Sequence, residues 1–224
     1  MISSPLALPI IFHLGPVPIT GPVVTTWAMM VILVIGAMVL TRWGGGTPGR
    51  LQVALELLVE TLLGQARSTM RVDDARPFLP LLGTLFIFLL VANLSGLLPG
   101  VSAPTGHIET AGALALLVFC AVQFFGVRRH GVAGYFARFL RPAWFMLPLN
   151  VLAEFTRTVA LAIRLFGNIM SGGFVIAIVV ALAGLFVPVP LMALELLTGL
   201  VQAYIFTVLA AVFIGGAVSA RTEA

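Results

Sequence analysis

The chain has 224 residues, 60% of them apolar and 9% charged, with a mean hydropathy of +1.15, a composition that excludes an ordinary soluble domain. Its formal charge is +4, but all 12 basic residues are arginine and most stand between apolar runs, which points to a membrane and away from nucleic acid. The lone cysteine, Cys120, lies inside an apolar run; it excludes an internal disulfide framework and a multi-cysteine metal site, and it reads as a small buried side chain.

The first charged residue is Arg42, so the N-terminal stretch lacks the basic region of a cleavable signal, and residues 23–42 are predicted to form a retained span. Next, Leu51, Leu55, Leu58 and Leu62 recur at helical spacing while Glu56, Glu60 and Arg67 fall elsewhere around the helix. This pattern predicts an amphipathic interfacial helix over about 50–71. Spans are predicted at about 78–98 and 110–127, followed by two longer elements at about 143–186 and 190–219. The first of these exceeds a crossing of about 30 Å, which calls for either one steeply tilted helix or a break near Gly172-Gly173. The expected fold is a single all-α membrane domain over 1–224, with about five membrane elements and a hairpin of two long helices near the C-terminus.

Arg42, Arg50, Arg67, Arg71 and Arg76 follow the first span, and Arg128, Arg129, Arg138 and Arg141 follow the third, whereas residues 99–109 contain no Arg or Lys. The positive-inside rule therefore predicts the N-terminus outside, both Arg-rich loops inside, the Pro188/Pro190 turn outside and the C-terminus in the cytoplasm.

Ionisable side chains deep in a membrane helix cost at least about 2.5–3.5 kcal/mol on insertion scales, so a helix that keeps them uses or pairs them. In the fourth element, Asn150, Arg157, Arg164 and Asn168 fall within about 40° of one another, with Glu154 at the edge of the same face. On the last element Glu195, Thr198 and Gln202 share a side. The bland explanation is that the two polar stripes pair with each other and fix helix packing. Arg164 resists it, because its neighbours Leu161, Ile163, Leu165 and Phe166 are apolar and no acid lies three or four residues away. Its partner has to come from elsewhere. A permanent guanidinium charge lowers the pKa of an acid brought beside it and repels passing cations.

The run Leu161-Ala-Ile-Arg-Leu-Phe-Gly-Asn168 with Ser171-Gly172 resembles the signature of subunit a of F-type rotary ATP synthases. Glu195 with Gln202-Ala-Tyr-Ile-Phe-Thr-Val-Leu209, and Asn93-Leu-Ser-Gly-Leu-Leu-Pro99, match it in order and spacing. The resemblance implies an ion-translocating stator in a bacterial cell membrane, set against a ring of c subunits that each carry one membrane carboxylate. It further implies two offset half-channels, peripheral-stalk b subunits as partners, and no bond chemistry or cofactor in this chain. By motif position Arg164 is the essential arginine, and Glu195, Gln202, Asn168, Glu154, Arg157, Asn150, Thr198 and Asn93 are candidates for the half-channels or polar stripes. Asn150, Thr158, Gly173 and Gly96 depart from the pattern of many members and resemble the variant N-type rotary ATPases, which leaves H+ and Na+ as candidate ions.

The competing reading is an independent secondary transporter or channel, which would transport without a ring. An intramembrane enzyme built on Ser171 with His107 or His130 is discounted, since the two histidines fall near opposite sides of the membrane and no nucleophile-elbow or zinc spacing occurs. His13, His107 and His130 read as interfacial side chains, and His13 or His107 could border an external half-channel.

Overall fold

The computed structural model describes residues 10–14, 17–43, 50–72, 74–96, 103–140, 145, 147–184 and 187–219. The predicted span ends near 97–98, 143–144 and 185–186 lie outside these residues, as does Arg141. A short antiparallel hairpin, β1 (Ile10–Leu14) and β2 (Val17–Thr20), precedes six helices. These are α1 (Gly21–Trp43), α2 (Arg50–Met70), α3 (Leu79–Ser95), α4 (Ile108–Leu140), α5 (Leu147–Ala183) and α6 (Val189–Ser219). The membrane-embedded part is all-helical, because in hydrocarbon only a helix or a closed barrel satisfies its own backbone groups. Among the described residues four helical stretches are long and apolar enough to cross a bilayer, Arg76–Ser95, Ile108–Val132, Leu147–Leu182 and Val189–Ser219, with a shorter apolar stretch at Val23–Val39.

α6 is the centre of the bundle. It packs against α2, α3, α4 and α5, and its small residues Gly199, Ala203, Ala210, Ala211, Gly215 and Ala217 are buried, which lets neighbouring backbones come close. A Cβ on Gly215 would stand 2.7 Å from the Cα of Met70, so α2 and α6 touch nearly backbone to backbone. The Ser219 hydroxyl donates to the Met70 carbonyl at 3.2 Å, and the His130 Nε2 lies 3.0 Å from the Val218 carbonyl. The ends of α2, α6 and the apolar part of α4 therefore meet at one end of the bundle. Leu82, Leu85 and Leu89 of α3, Ala115, Val118 and Val122 of α4, and Phe206 and Ile214 of α6 form the core between them.

α5 runs unbroken through Gly172-Gly173, the first of the two alternatives left open by the sequence, and a kink that the sequence did not signal falls at Gly131 in α4, whose φ of 74° suits glycine alone. The chain turns there so that the Tyr135 ring lies on Gly126 and its hydroxyl donates to Gln123 Oε1 at 2.5 Å. Cys120 is exposed on the outside of the bundle rather than buried, because the core-facing positions of α4 are Ala115, Val118 and Val122. The interfacial helix α2 is only partly open: Leu62, Ala66 and Met70 are buried, while Leu55 and Leu57 are exposed.

Candidate functional site

Asn93, in the last turn of α3, uses both ends of its amide. Its Nδ2 donates to the Gly199 carbonyl of α6 at 2.8 Å, and its Oδ1 accepts from the Thr105 hydroxyl at 2.9 Å. The approach requires Gly199, where a Cβ would stand 3.1 Å from that of Asn93. One side chain thus fixes α6 against α3 and secures the single-turn helix Pro104–Gly106 above them.

That short helix roofs an open cleft of about 640 Å³ lined by His107, by Ile169, Met170, Gly173 and Phe174 of α5, and by Met192 and Glu195 of α6. Glu195 is half-buried and lies against Gly172, where a Cβ would come within 2.9 Å of the carboxylate Oε1. The missing side chain at Gly172 therefore makes room for the acid at the α5–α6 crossing.

At the other end of the same crossing, Arg157 Nη1 donates to Glu154 Oε2 at 3.2 Å within α5. The Arg157 guanidinium also lies 5.8 Å from the centre of the Phe213 ring of α6, a cation–π distance. Between the two levels stands Arg164. It is exposed on this chain, and among the described residues it has neither a hydrogen bond nor an ion pair. At 1.5 Å per residue it is about 12 Å along the axis from Gly172 and about 10 Å from Arg157. Interpolation between the two crossings puts it level with the Gln202–Phe206 turn of α6. Gln202 is buried, and its Nε2 has no acceptor among the described residues.

The remaining candidates are scattered. Asn168 is half-buried one turn beyond Arg164, and Asn150 is half-buried near the start of α5. Thr198 is exposed and its hydroxyl bonds back to the Leu194 and Glu195 carbonyls, so it serves its own helix and does not join Glu195 and Gln202. The structure thus brings Glu195 together with the cleft, pairs Glu154 with Arg157, and leaves Arg164 alone between them. His107, read from the sequence as an interfacial side chain, lines the cleft, and two features escape a reading by polarity. Gly172 is informative only once its neighbour is known. Ala153, Ala160, Gly167 and Ser171 form a strip of small residues beside Arg164 on α5, visible in sequence only to a search for small residues at helical spacing.

A family model described as ATP synthase A chain matches residues 23–215. The chain is 62% identical over 218 residues to ATP synthase subunit a 2 of Bradyrhizobium sp. (strain BTAi1), covering 97% of each chain. It is 47% identical to ATP synthase subunit a 1 of Hahella chejuensis, over 97% of this chain and 92% of that one. Similarity to ATP synthase subunit a of Nitrosospira multiformis is 43%, over 96% of this chain and 86% of the relative.

Proposed function

The chain belongs to the ATP synthase A chain family, a membrane-sector subunit of the bacterial rotary ATP synthase, and on that premise we propose that it is the ion-translocating stator and that Arg164 keeps its two half-channels apart. The observation that carries the reading is Arg164, exposed on α5 and unpaired among the described residues, with the exposed apolar side chains of Ile163, Phe174 and Ile178 on the same helix. A lipid-facing guanidinium there would cost at least about 2.5–3.5 kcal/mol. A membrane carboxylate on a c subunit offsets that cost, and the strip of Ala153, Ala160, Gly167 and Ser171 lets its helix approach closely.

Each passing carboxylate meets a permanent positive charge. Arg164 lowers its pKa, so the carboxylate releases its ion and passes in the charged form. The same charge repels a free cation that would otherwise cross from one half-channel to the other. The outer path runs through the cleft to Glu195, and the inner one opens on the Glu154–Arg157 side. Their separation along α5, with Arg164 between, is the offset that forces the ring to turn. One elementary charge falling through 100 mV releases about 2.3 kcal/mol, the energy coupled to rotation.

The arginine-rich connections support an external N-terminus and a cytoplasmic C-terminus. α5 also supports the assignment by its length: its 37 residues span about 55 Å, nearly twice the hydrocarbon thickness, so it lies strongly tilted and offers a long flank to a ring. An internal transporter site would enclose Arg164 instead of exposing it. Cysteine cross-linking in the whole complex tests the docking face, in a Cys120→Ser background because Cys120 is itself exposed. A cysteine at Ile163 or Gly167 is expected to form a disulfide with a cysteine on the carboxylate-bearing helix of subunit c, whereas one at buried Leu165 is not. Cross-linking through Leu165 alone would refute the arrangement.

A further inference from the structure

At the end of the bundle opposite the Asn93 clamp, positive charge collects without a counter-charge. The Met70 carbonyl accepts from Ser219, and the Val218 carbonyl lies 3.0 Å from His130 Nε2. The turn of α2 that carries Arg67 and Arg71 and the turn of α4 that carries Arg128 and Arg129 therefore both stand beside the last turn of α6. All four arginines are exposed, and among the described residues none of their side chains has a hydrogen bond or an ion pair. Asp74, the described acid nearest to Arg71 along the chain, accepts instead from the backbone N–H of Arg76 at 3.0 Å.

Arg128 also lines an open groove of about 380 Å³ together with Gln123, Phe124 and Val127. The groove lies in the last turns of the apolar stretch Ile108–Val132, the level at which hydrocarbon gives way to headgroups. Its walls are held from behind. The exposed Phe124 ring stands edge-on to Phe125 with centroids 5.5 Å apart, and Phe125 packs in turn on Phe78 at 4.8 Å. Past the kink at Gly131, the Tyr135 ring lies on Gly126 and its hydroxyl donates to Gln123 Oε1. No carboxylate lines the groove.

From an apolar groove that ends on an unpaired arginine at this level, we propose that α4 carries a binding site for one anionic phospholipid, with an acyl chain along Phe124 and Val127 and the phosphate held by Arg128. An arginine at the end of a membrane helix lays its methylene stem along apolar surface and extends its charge into the headgroup layer. Its fork of N–H donors matches phosphate oxygens. Arg129, with Arg67 and Arg71 around the end of α6, adds to the positive field that selects an anionic headgroup over a zwitterionic one. A zwitterionic lipid fills the same groove but brings its own cation to the arginines. An acidic peptide satisfies the arginines but strands its backbone groups against Phe124 and Val127. The proposal depends on the chain spanning a membrane and is independent of the role given to Arg164.

The test places the photo-reactive residue p-benzoylphenylalanine at position 124 in the whole complex, reconstituted in vesicles of about one part phosphatidylglycerol to four of phosphatidylcholine, and identifies the adducts by mass spectrometry. Adducts are expected to favour phosphatidylglycerol about fivefold over the vesicle composition. The preference is expected to vanish in Arg128→Gln and to persist in large part in Arg128→Lys, which keeps the charge. Adducts in the proportions of the vesicle would overturn the proposal, as would a preference that survives Arg128→Gln. Adducts to another subunit in place of lipid would also overturn it and make the groove a protein contact. Where Arg128→Gln does not assemble, the labelled complex with Arg128 intact still decides the matter against the vesicle composition.

Discussion

Asn93 donates to Gly199 and accepts from Thr105, so Asn93→Ala removes two hydrogen bonds and leaves the buried Thr105 hydroxyl unmatched. The expected cost is about 1–3 kcal/mol, read as a lower unfolding midpoint of the purified subunit or complex in detergent. An unchanged midpoint would show that the clamp contributes nothing. Polarity alone marks Asn93 as a half-channel candidate; its place in the fold shows a residue that positions α6. Arg164 is different. An isolated charge among Leu161, Ile163, Leu165 and Phe166 is legible in sequence because no local pairing can explain it, and its outward direction in the structure agrees with that reading. His107 gave only a weak signal, since a histidine in a connection carries no periodicity, and its relation to Glu195 depends on how α4, α5 and α6 meet.

At the scale of elements, the close α2–α6 contact makes a paired prediction. Gly215→Val places new atoms against the backbone of Met70, and overpacking of this kind costs about 1–3 kcal/mol. Gly216→Ala next to it meets nothing within 4 Å and is expected to be neutral or to stabilise by up to about 1 kcal/mol, as alanine generally does in a helix. Thermal unfolding of the two variants side by side distinguishes them, and equal midpoints would contradict the packing. The apolar helices were legible from hydropathy, although α4, expected over about 110–127, runs over Ile108–Leu140. The kink at Gly131 was not, because glycine permits a turn without compelling one. At Gly172-Gly173, deep in the apolar stretch, an interrupted helix would strand backbone groups away from water, so α5 continues. Gly131 follows Arg128, Arg129 and His130 at the end of the apolar stretch, where water can satisfy a turning backbone. Thr198 shares the side of Glu195 by spacing, yet it bonds to its own helix, an outcome the sequence pattern cannot separate from channel lining.

For the whole molecule, the asymmetry of burial is the feature that matters. Of the four crossing stretches, the one in α5 buries the smallest share and the one in α6 the largest, so the chain is built inward on α6 and leaves α5 as its open flank. Composition and motif together made the membrane bundle and the family legible. The open flank was not, because an apolar side chain reads the same whether it faces a helix, a lipid or another subunit. The most direct measurement of the central claim compares wild type with Arg164→Ala in liposomes containing the whole complex, following ATP-driven ion uptake and then passive ion flux without ATP. The account predicts that the variant pumps no more than liposomes lacking the complex and gains a passive leak that wild type does not show. Normal pumping without a leak would contradict it, and would make the chain a transporter whose path avoids Arg164.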